Sequence, residues 1–402
     1  MNDEVLALGG QEDDGQEERM ASESFARYKF YLRQRPVMLA VISVLVILFF
    51  LFVALLSRVH YAQRQALGNR WYTRGVADLK AANYEAAVTD FRAALLYSRD
   101  DYSYQLNLAE ALIGQHRTGQ ASAYLLNLWE REPENGVVNL ELARIANEQN
   151  RVQDAVRYYH DAIYAVWPAD QESKRTDARL ELVELLLRNH EPAQAQAELI
   201  ALSENAGDDP AGQLRLGNLF LRAADYEHAL ASFGIELKTH RHDAVALAGS
   251  GYAAFQLGRY PLAEHYLQSA LALNPNDTQS ANLLKTTQMV LRMDPFRPGI
   301  GSTDRDQIVL KAFDTAGDRL KVCPLPKPNT AGPAGSLLSP GEEWANLKRH
   351  MSEAELRRHP DIADQAMDLV FRIERQTSIV CGTPTGADEA LLRIAALHEG
   401  SQ

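Results

Sequence analysis

Residues 257–277 read LGRYPLAEHYLQSALALNPND, and residues 83–101 read NYEAAVTDFRAALLYSRDD. In both, an aromatic residue, an alanine three positions on, a large apolar residue four further and a second alanine three beyond fall on one helical face. The residues are Tyr84, Ala87, Phe91 and Ala94 in one stretch, and Tyr260, Ala263, Leu267 and Ala270 in the other. Setting Ala87, Ala121, Ala155, Ala195, Ala229 and Ala263 in register gives spacings of 34, 34, 40, 34 and 34 residues. Twelve residues before each alanine stand Gly75, Ala109, Ala143, Val183, Gly217 and Gly251; four after it stand Phe91, Leu125, Tyr159, Leu199, Phe233 and Leu267. Small residues let two helices approach closely, and the large residue one turn further fills the gap between neighbouring pairs. A small, small, large pattern held through six registers is an internal repeat, and a period of this length belongs to stacked arrays.

Each repeat contains two amphipathic segments separated by a short turn, such as 71–81 and 84–97, with Asn83, Asp225 or Gly258 near the turn. Pro133 and Pro275 sit between repeats, where a helix has ended. The pattern predicts an all-α fold, a solenoid of helix pairs. Residues 68–277 resemble the tetratricopeptide repeat family through Trp71, Gly75, Tyr84, Ala87, Phe91 and Ala94 in the first repeat and Gly251, Gly258, Tyr260, Ala263, Ala270 and Pro275 in the last. The resemblance implies six repeats, with 278–293 as a capping helix, so that the array covers 68–293. Two departures stand out. Repeat three ends in Val166, Trp167 and Pro168 and is followed by about six extra residues around Gln171–Arg175, which predicts a bend or a split in the superhelix near 168–176; repeat five places Glu236 where a small residue is expected.

Arrays of this kind hold an extended or helical segment of another protein on the face lined by the inner helices. The fifth position of each inner helix holds Tyr72, Leu106, Leu140, Leu180, Leu214 and Ala248; the twelfth holds Leu79, Ile113, Asn147, Leu187, Leu221 and Phe255. Tyr72, Leu79, Leu106, Ile113, Leu140, Leu180, Leu187, Leu214, Leu221 and Phe255 are therefore the candidate partner-binding residues. The same side chains also suit packing between adjacent repeats, and the chain's own C-terminal region is a third occupant of that strip. The family's specialised clamp for an acidic C-terminal peptide requires lysine and asparagine at the fifth, sixth and ninth positions. Here the ninth holds Val76, Glu110, Arg144, Glu184, Asn218 and Tyr252, so chaperone-tail binding is not expected.

Val37 to Leu56, VMLAVISVLVILFFLFVALL, carries no charge and no proline and spans roughly 30 Å as a helix, enough for one membrane crossing. A cleaved signal peptide would carry a shorter apolar region and a small-residue cleavage site. Upstream, residues 1–26 are acidic and poor in large apolar groups, which predicts a disordered tail. Arg27, Lys29, Arg33 and Arg35 precede the crossing, within a juxtamembrane and transmembrane segment 27–58, and Arg58, Arg64 and Arg70 follow it. The bias points narrowly to a cytoplasmic N-terminus and an extracytoplasmic repeat region, periplasmic if the organism is bacterial. The inverted topology, a cytosol-facing receptor for targeting helices, is the competing reading.

Residues 294–402 do not continue the period. Thr303 or Asp304 is placed to cap a helix over 306–322, and a Pro/Gly-rich loop follows over 323–341. Ser352 and Glu355 have capping-box spacing; His359-Pro360-Asp361 separates that short helix from a longer one over 362–377. A last helix runs from about Ala387 to Glu399 and stops at Gly400. This predicts a small helical module. Cys323 and Cys381, the only two cysteines of the chain, each follow a predicted helix and form a disulfide candidate if the region is extracytoplasmic.

The 402 residues carry a net charge of -12, which argues against a general nucleic-acid binder. The sequence points to no cofactor and no metal: a structural zinc site lacks CxxC and paired histidines, and His240-Arg241-His242 reads as a solvated turn. No HExxH, GxSxG or phosphate-cradling loop is found, and Glu181, Glu184, Asp225 and Glu227 sit on helix faces or turns. The expected function is a membrane-anchored scaffold for other polypeptides rather than an enzyme. A catalytic module over 294–402 is the alternative of a different class.

Overall fold

The small-to-large register of the sequence is the packing register of the structure. The six alanines are fully buried, as are Phe91, Leu125, Leu199, Phe233 and Leu267, and Tyr159 is 1% exposed. A Cβ on Gly75 would stand 2.8 Å from Phe91, one on Gly217 2.6 Å from Phe233, and one on Gly251 2.7 Å from Leu267. Inside a repeat the ring or leucine therefore occupies the volume that the glycine leaves empty. This computed structural model describes residues 14–167, 169–205, 209–325 and 338–399, with side chains from Met38 onward. Among them there is no strand.

The chain divides into two compact units, Met1–Gln149 and Asn150–Gln402. The first contains α1 (Asp14–Lys80), α2 (Tyr84–Tyr97), α3 (Tyr102–Gly114), α4 (Thr118–Arg131) and α5 (Gly136–Glu148). In the second, α6 (Val152–Tyr164), α7 (Ser173–Arg188), α8 (Pro192–Asn205), α9 (Pro210–Arg222), α10 (Tyr226–Thr239), α11 (Ala244–Gln256) and α12 (Tyr260–Leu273) continue the repeats, and α13 (Thr278–Met293) is the helix expected as a cap. The extra residues after repeat three do not part the stack. Helix α6 packs on α7 across them, Trp167 Nε1 donating to the Ala162 carbonyl at 2.8 Å and Arg175 to the Ala165 carbonyl at 3.0 Å.

Two further periodic features fix the pairs. At the turn inside each repeat, Ala82, His116, Asn150, His190, Ala224 and Gly258 have φ between 56° and 72°. The left-handed residue lets the next N–H reach back to a carbonyl of the preceding helix: Asn83 to Asp78 at 2.8 Å, Arg117 to Leu112 at 2.9 Å, Glu191 to Leu186 at 3.0 Å, Asp225 to Phe220 at 2.9 Å and Arg259 to Ala254 at 2.8 Å. Between repeats, Asp101, Asn135, Asp209, Asp243 and Asp277 cap the next inner helix with a side-chain oxygen. The equivalent position in repeat four is Arg175, and α7 starts without a side-chain cap. Glu236, the misfit of repeat five, is 3% exposed and is held by His240 Nδ1 at 2.8 Å.

Helix α1 carries the apolar stretch. Its most apolar 18-residue window has a mean hydropathy of 3.3 and nothing among the described residues covers it; Phe50 is 68% exposed and Leu55 61%. A helix apolar on every face is long and apolar enough to cross a membrane, by length and composition. Residues 14–26, expected as part of a disordered tail, continue this helix, since once a helix exists each further residue adds a hydrogen bond. Residues 1–13 of that tail, Pro168, residues 326–337 of the Pro/Gly-rich loop and Gly400 lie outside the described residues.

The C-terminal region is helical, with α14 (Ser302–Val322), α15 (Pro340–Leu347), α16 (Glu353–Arg358), α17 (Pro360–Cys381) and α18 (Ala387–Glu399). Its core is continuous with the last repeat: Phe255, Tyr260, Leu267, Val290 and Met293 join Val309, Phe313, Met367, Val370 and Ile394 in one buried cluster. Helix α15 begins inside the stretch expected as loop, because Ser339 and Glu342 form a complete capping box there. Helix α14 starts at Ser302 behind Gly301, one residue before the expected caps. Cys323 and Cys381 are joined by a disulfide with Cα atoms 6.2 Å apart, tying the end of α14 to the end of α17. Beneath it lies an acidic pair: Glu374 is fully buried with neither carboxyl oxygen hydrogen-bonded, and Asp388 of α18 adds to its field.

Candidate functional site: the inner-helix faces

The ten residues expected to line a partner groove are not equivalent. Leu140 and Phe255 do not line it: both are 1% exposed. Phe255 is covered by the C-terminal region, with the Arg393 guanidinium of α18 4.1 Å from its ring. The own-chain occupant thus reaches the strip at its last position. The other eight are half-buried.

In the first unit Tyr72 is an inter-repeat packing residue. Its ring stacks on Tyr104 at 4.9 Å and lies 5.9 Å from Phe91, and its hydroxyl accepts from Asn107 Nδ2 at 3.3 Å. Burial, then the charges of Asp101 and Glu110, raise its pKa above the usual tyrosine value. Leu79, Leu106 and Ile113 share the half-buried state.

In the second unit the inner helices open two clefts. One, of about 360 Å³, is lined by Leu221, Ala248, Tyr252 and Leu283, with Asn218, Asn274 and Gln279 among its polar groups; Val245 on its rim is 55% exposed. The other, of about 390 Å³, combines Leu180, Leu202 and Leu216 with Arg175, Arg179, Arg215 and Glu172. Leu180 and Leu221 are thus brought to clefts, whereas Leu187 and Leu214 line neither. Glu184 accepts from Nη1 and Nη2 of Arg222 at 2.9 and 2.8 Å, and these hydrogen bonds hold its carboxyl below the usual range. Tyr252 meets Tyr226 edge-on at 6.1 Å.

The groove reading missed Leu283 and Val245. Leu283 was legible in principle, since α13 continues the register and Leu283 stands one 34-residue period after Gly249. An apolar floor with amide groups and one carboxylate, Asp277, around it suits a polypeptide segment: apolar side chains bury and its backbone finds polar partners. Among the described residues no group of three or more His, Cys, Asp or Glu is placed to hold a metal ion.

A tetratricopeptide repeat family model matches residues 106–170 and 214–278. No curated protein matches the chain. Among solved structures, it is similar to YrrB, a TPR protein with an unusual peptide-binding site, at 16% identity and a TM-score of 0.39 over 48% of this chain and 95% of that one. It is also similar to PilF of Pseudomonas aeruginosa, at 17% identity and a TM-score of 0.38 over 55% of this chain and 97% of the other. A third is PilW, a widely conserved type IV pilus biogenesis factor, at 16% identity and a TM-score of 0.37 over 54% and 98%.

Proposed function

Because this chain belongs to the tetratricopeptide repeat family, whose members mediate protein–protein interactions, we propose that it is a single-pass, membrane-anchored scaffold holding a partner polypeptide segment on the inner helices of its second unit. The observation that carries this reading is the cleft lined by Leu221, Ala248, Tyr252 and Leu283: apolar at its floor, edged by amides, and wide enough for a few side chains of a bound segment. Anchoring through residues 37–56 raises the effective concentration of a weak site toward partners at the same membrane. The disulfide between Cys323 and Cys381 supports an extracytoplasmic repeat region, because such bonds persist in oxidising compartments. In a bacterium this is the periplasm, with envelope assembly, secretion or protein quality control as the setting.

A photo-reactive benzoyl-phenylalanine in place of Tyr252, compared in cells with one in place of the exposed Gln268 on α12, tests the proposal. Discrete adducts from position 252 that disappear in Leu180→Ser/Leu214→Ser/Leu221→Ser, with helicity retained, are expected. Equal adducts from both positions would refute the groove. Loss of fold in the triple variant would show these side chains to be core.

A further inference from the structure

Helix α1 runs without interruption from the apolar stretch into the first repeat, so the repeat's position along the helix fixes its height above a bilayer. Arg64 lies eight residues past Leu56, about 12 Å along the axis at 1.5 Å per residue. The headgroup layer is about 5–7 Å thick on each face. Helix α2 runs back toward the apolar stretch and ends level with this point: Arg64 Nη2 donates to the Leu96 carbonyl at 3.0 Å, and a Cβ on Gly68 would stand 3.3 Å from Tyr97. The edge of the first unit that faces the apolar segment is therefore built from the end of α2 and the turn after it.

A broad cleft of about 930 Å³ opens at this edge, with Arg64, Arg92 and Arg99 among its lining residues. Asp100 is its one carboxylate, and Leu95, Leu96 and Tyr124 form its apolar part, Leu96 being 77% exposed. Among the described residues none of the three arginines is in an ion pair: Arg64 uses one nitrogen on the Leu96 carbonyl, and Arg92 reaches Gln120 at 3.3 Å. Nearby arginines do find partners, Arg74 bridging to the buried Asp90 and Arg131 lying over the Tyr102 ring. The segment 57–70 adds Arg58 and Arg70 and contains no acidic residue. Three guanidinium groups lining one cleft beside an exposed leucine, with no ion pair among the described residues and just above the level of the headgroup layer, are a recognition set for phosphate oxygens attached to a lipid.

We infer that this cleft binds the headgroup phosphates of anionic phospholipids and docks the first repeat onto the bilayer surface. The inference rests on the reading that residues 37–56 cross a membrane. Docking would fix the first unit against the surface instead of leaving it free to swing on α1. Each arginine near an anionic surface contributes roughly a fivefold bias, so the three together shift the docked-to-undocked ratio on the order of a hundredfold, less at high salt.

The test uses the full chain carrying bimane on the thiol of Ser98→Cys, reconstituted into vesicles of phosphatidylcholine alone or with phosphatidylglycerol, each containing a headgroup spin-labelled lipid. Flotation after an alkaline wash reports insertion, and bimane quenching reports docking. Strong quenching in the anionic vesicles only is expected, lost in Arg64→Gln/Arg92→Gln/Arg99→Gln and restored in the corresponding triple lysine variant, which also controls for folding. Equal quenching in both vesicles, or quenching indifferent to the glutamine variant, would overturn the inference while leaving the anchor intact. A chain that does not float would overturn the anchor itself. Inorganic phosphate changing bimane emission in detergent, without any bilayer, would mark a free-anion site and overturn the lipid assignment.

Discussion

Glu374 makes the stability of the second unit depend on pH. It is fully buried in α17 without a hydrogen-bond partner, and burial, reinforced by Asp388 and only partly opposed by Arg319, pushes its carboxyl from 4.5 up to about 8. The charged groups facing it are Arg319 and Asp388, and Asp388 is itself raised, first by burial. Below pH 4.5 the carboxyl is protonated in both folded and unfolded chains and costs nothing. As pH rises toward 8 the unfolded chain releases the proton while the folded chain keeps it, so stability is lost through this window and levels off above it. With these two values the loss between pH 5 and pH 8 is about 3.5 kcal/mol, at about 1.4 kcal/mol per pKa unit. Glu374→Gln keeps the shape and removes the titration, so its unfolding free energy should fall less between those two pH values by about that amount. Urea unfolding of the detergent-solubilised chain, followed by tryptophan fluorescence at pH 5, 6.5 and 8, measures both slopes. Parallel slopes for the two proteins would show that Glu374 is ionised at neutral pH and that the physical argument is wrong.

Three further outcomes follow from the packing. At the left-handed turn positions, His190→Gly should stabilise by about 0.5–1 kcal/mol, whereas Gly258→Ala should cost about 1 kcal/mol or more, since φ is +72° and the new methyl would meet Leu397; thermal melts decide both. Gly217→Val places carbon where Phe233 packs and should cost about 1–3 kcal/mol by denaturant titration, while Gly234→Ala, with open space around it, should change little. Closing 58 residues of chain separation, the disulfide should contribute about 4 kcal/mol in the loop-entropy model, so Cys323→Ser/Cys381→Ser should lower the unfolding midpoint with little change in the native circular dichroism.

The helix pairs were legible because each depends on residues close in sequence. The alanine at Ala87 and the ring at Phe91 lie one turn apart, and Gly75, which admits the ring, is only a helix away. The aspartate caps carried the same period and were equally readable, from Asp101 through Asp277. The turn residues were harder. Only Gly258 shows a left-handed backbone by its type; Ala82, His116, His190 and Ala224 adopt it because the flanking helices over-determine the turn. The candidate site was read less well. Fifth and twelfth positions identify the inner face, but exposure there depends on what lies opposite. Phe255 is covered by Arg393, 138 residues later in the chain, a cover with no local signature, and Leu140 is buried although its register position matches that of the half-buried Leu106 and Leu180.

The most direct test of a membrane-anchored scaffold outside the cytoplasm is the state of Cys323 and Cys381 in intact and permeabilised cells, with and without prior reduction, read together with protease protection of the region after residue 58. Thiols that label only after reduction, on a domain digested from outside the membrane, are expected. Free thiols on a protected domain would contradict the extracytoplasmic reading and place the repeats in the cytosol.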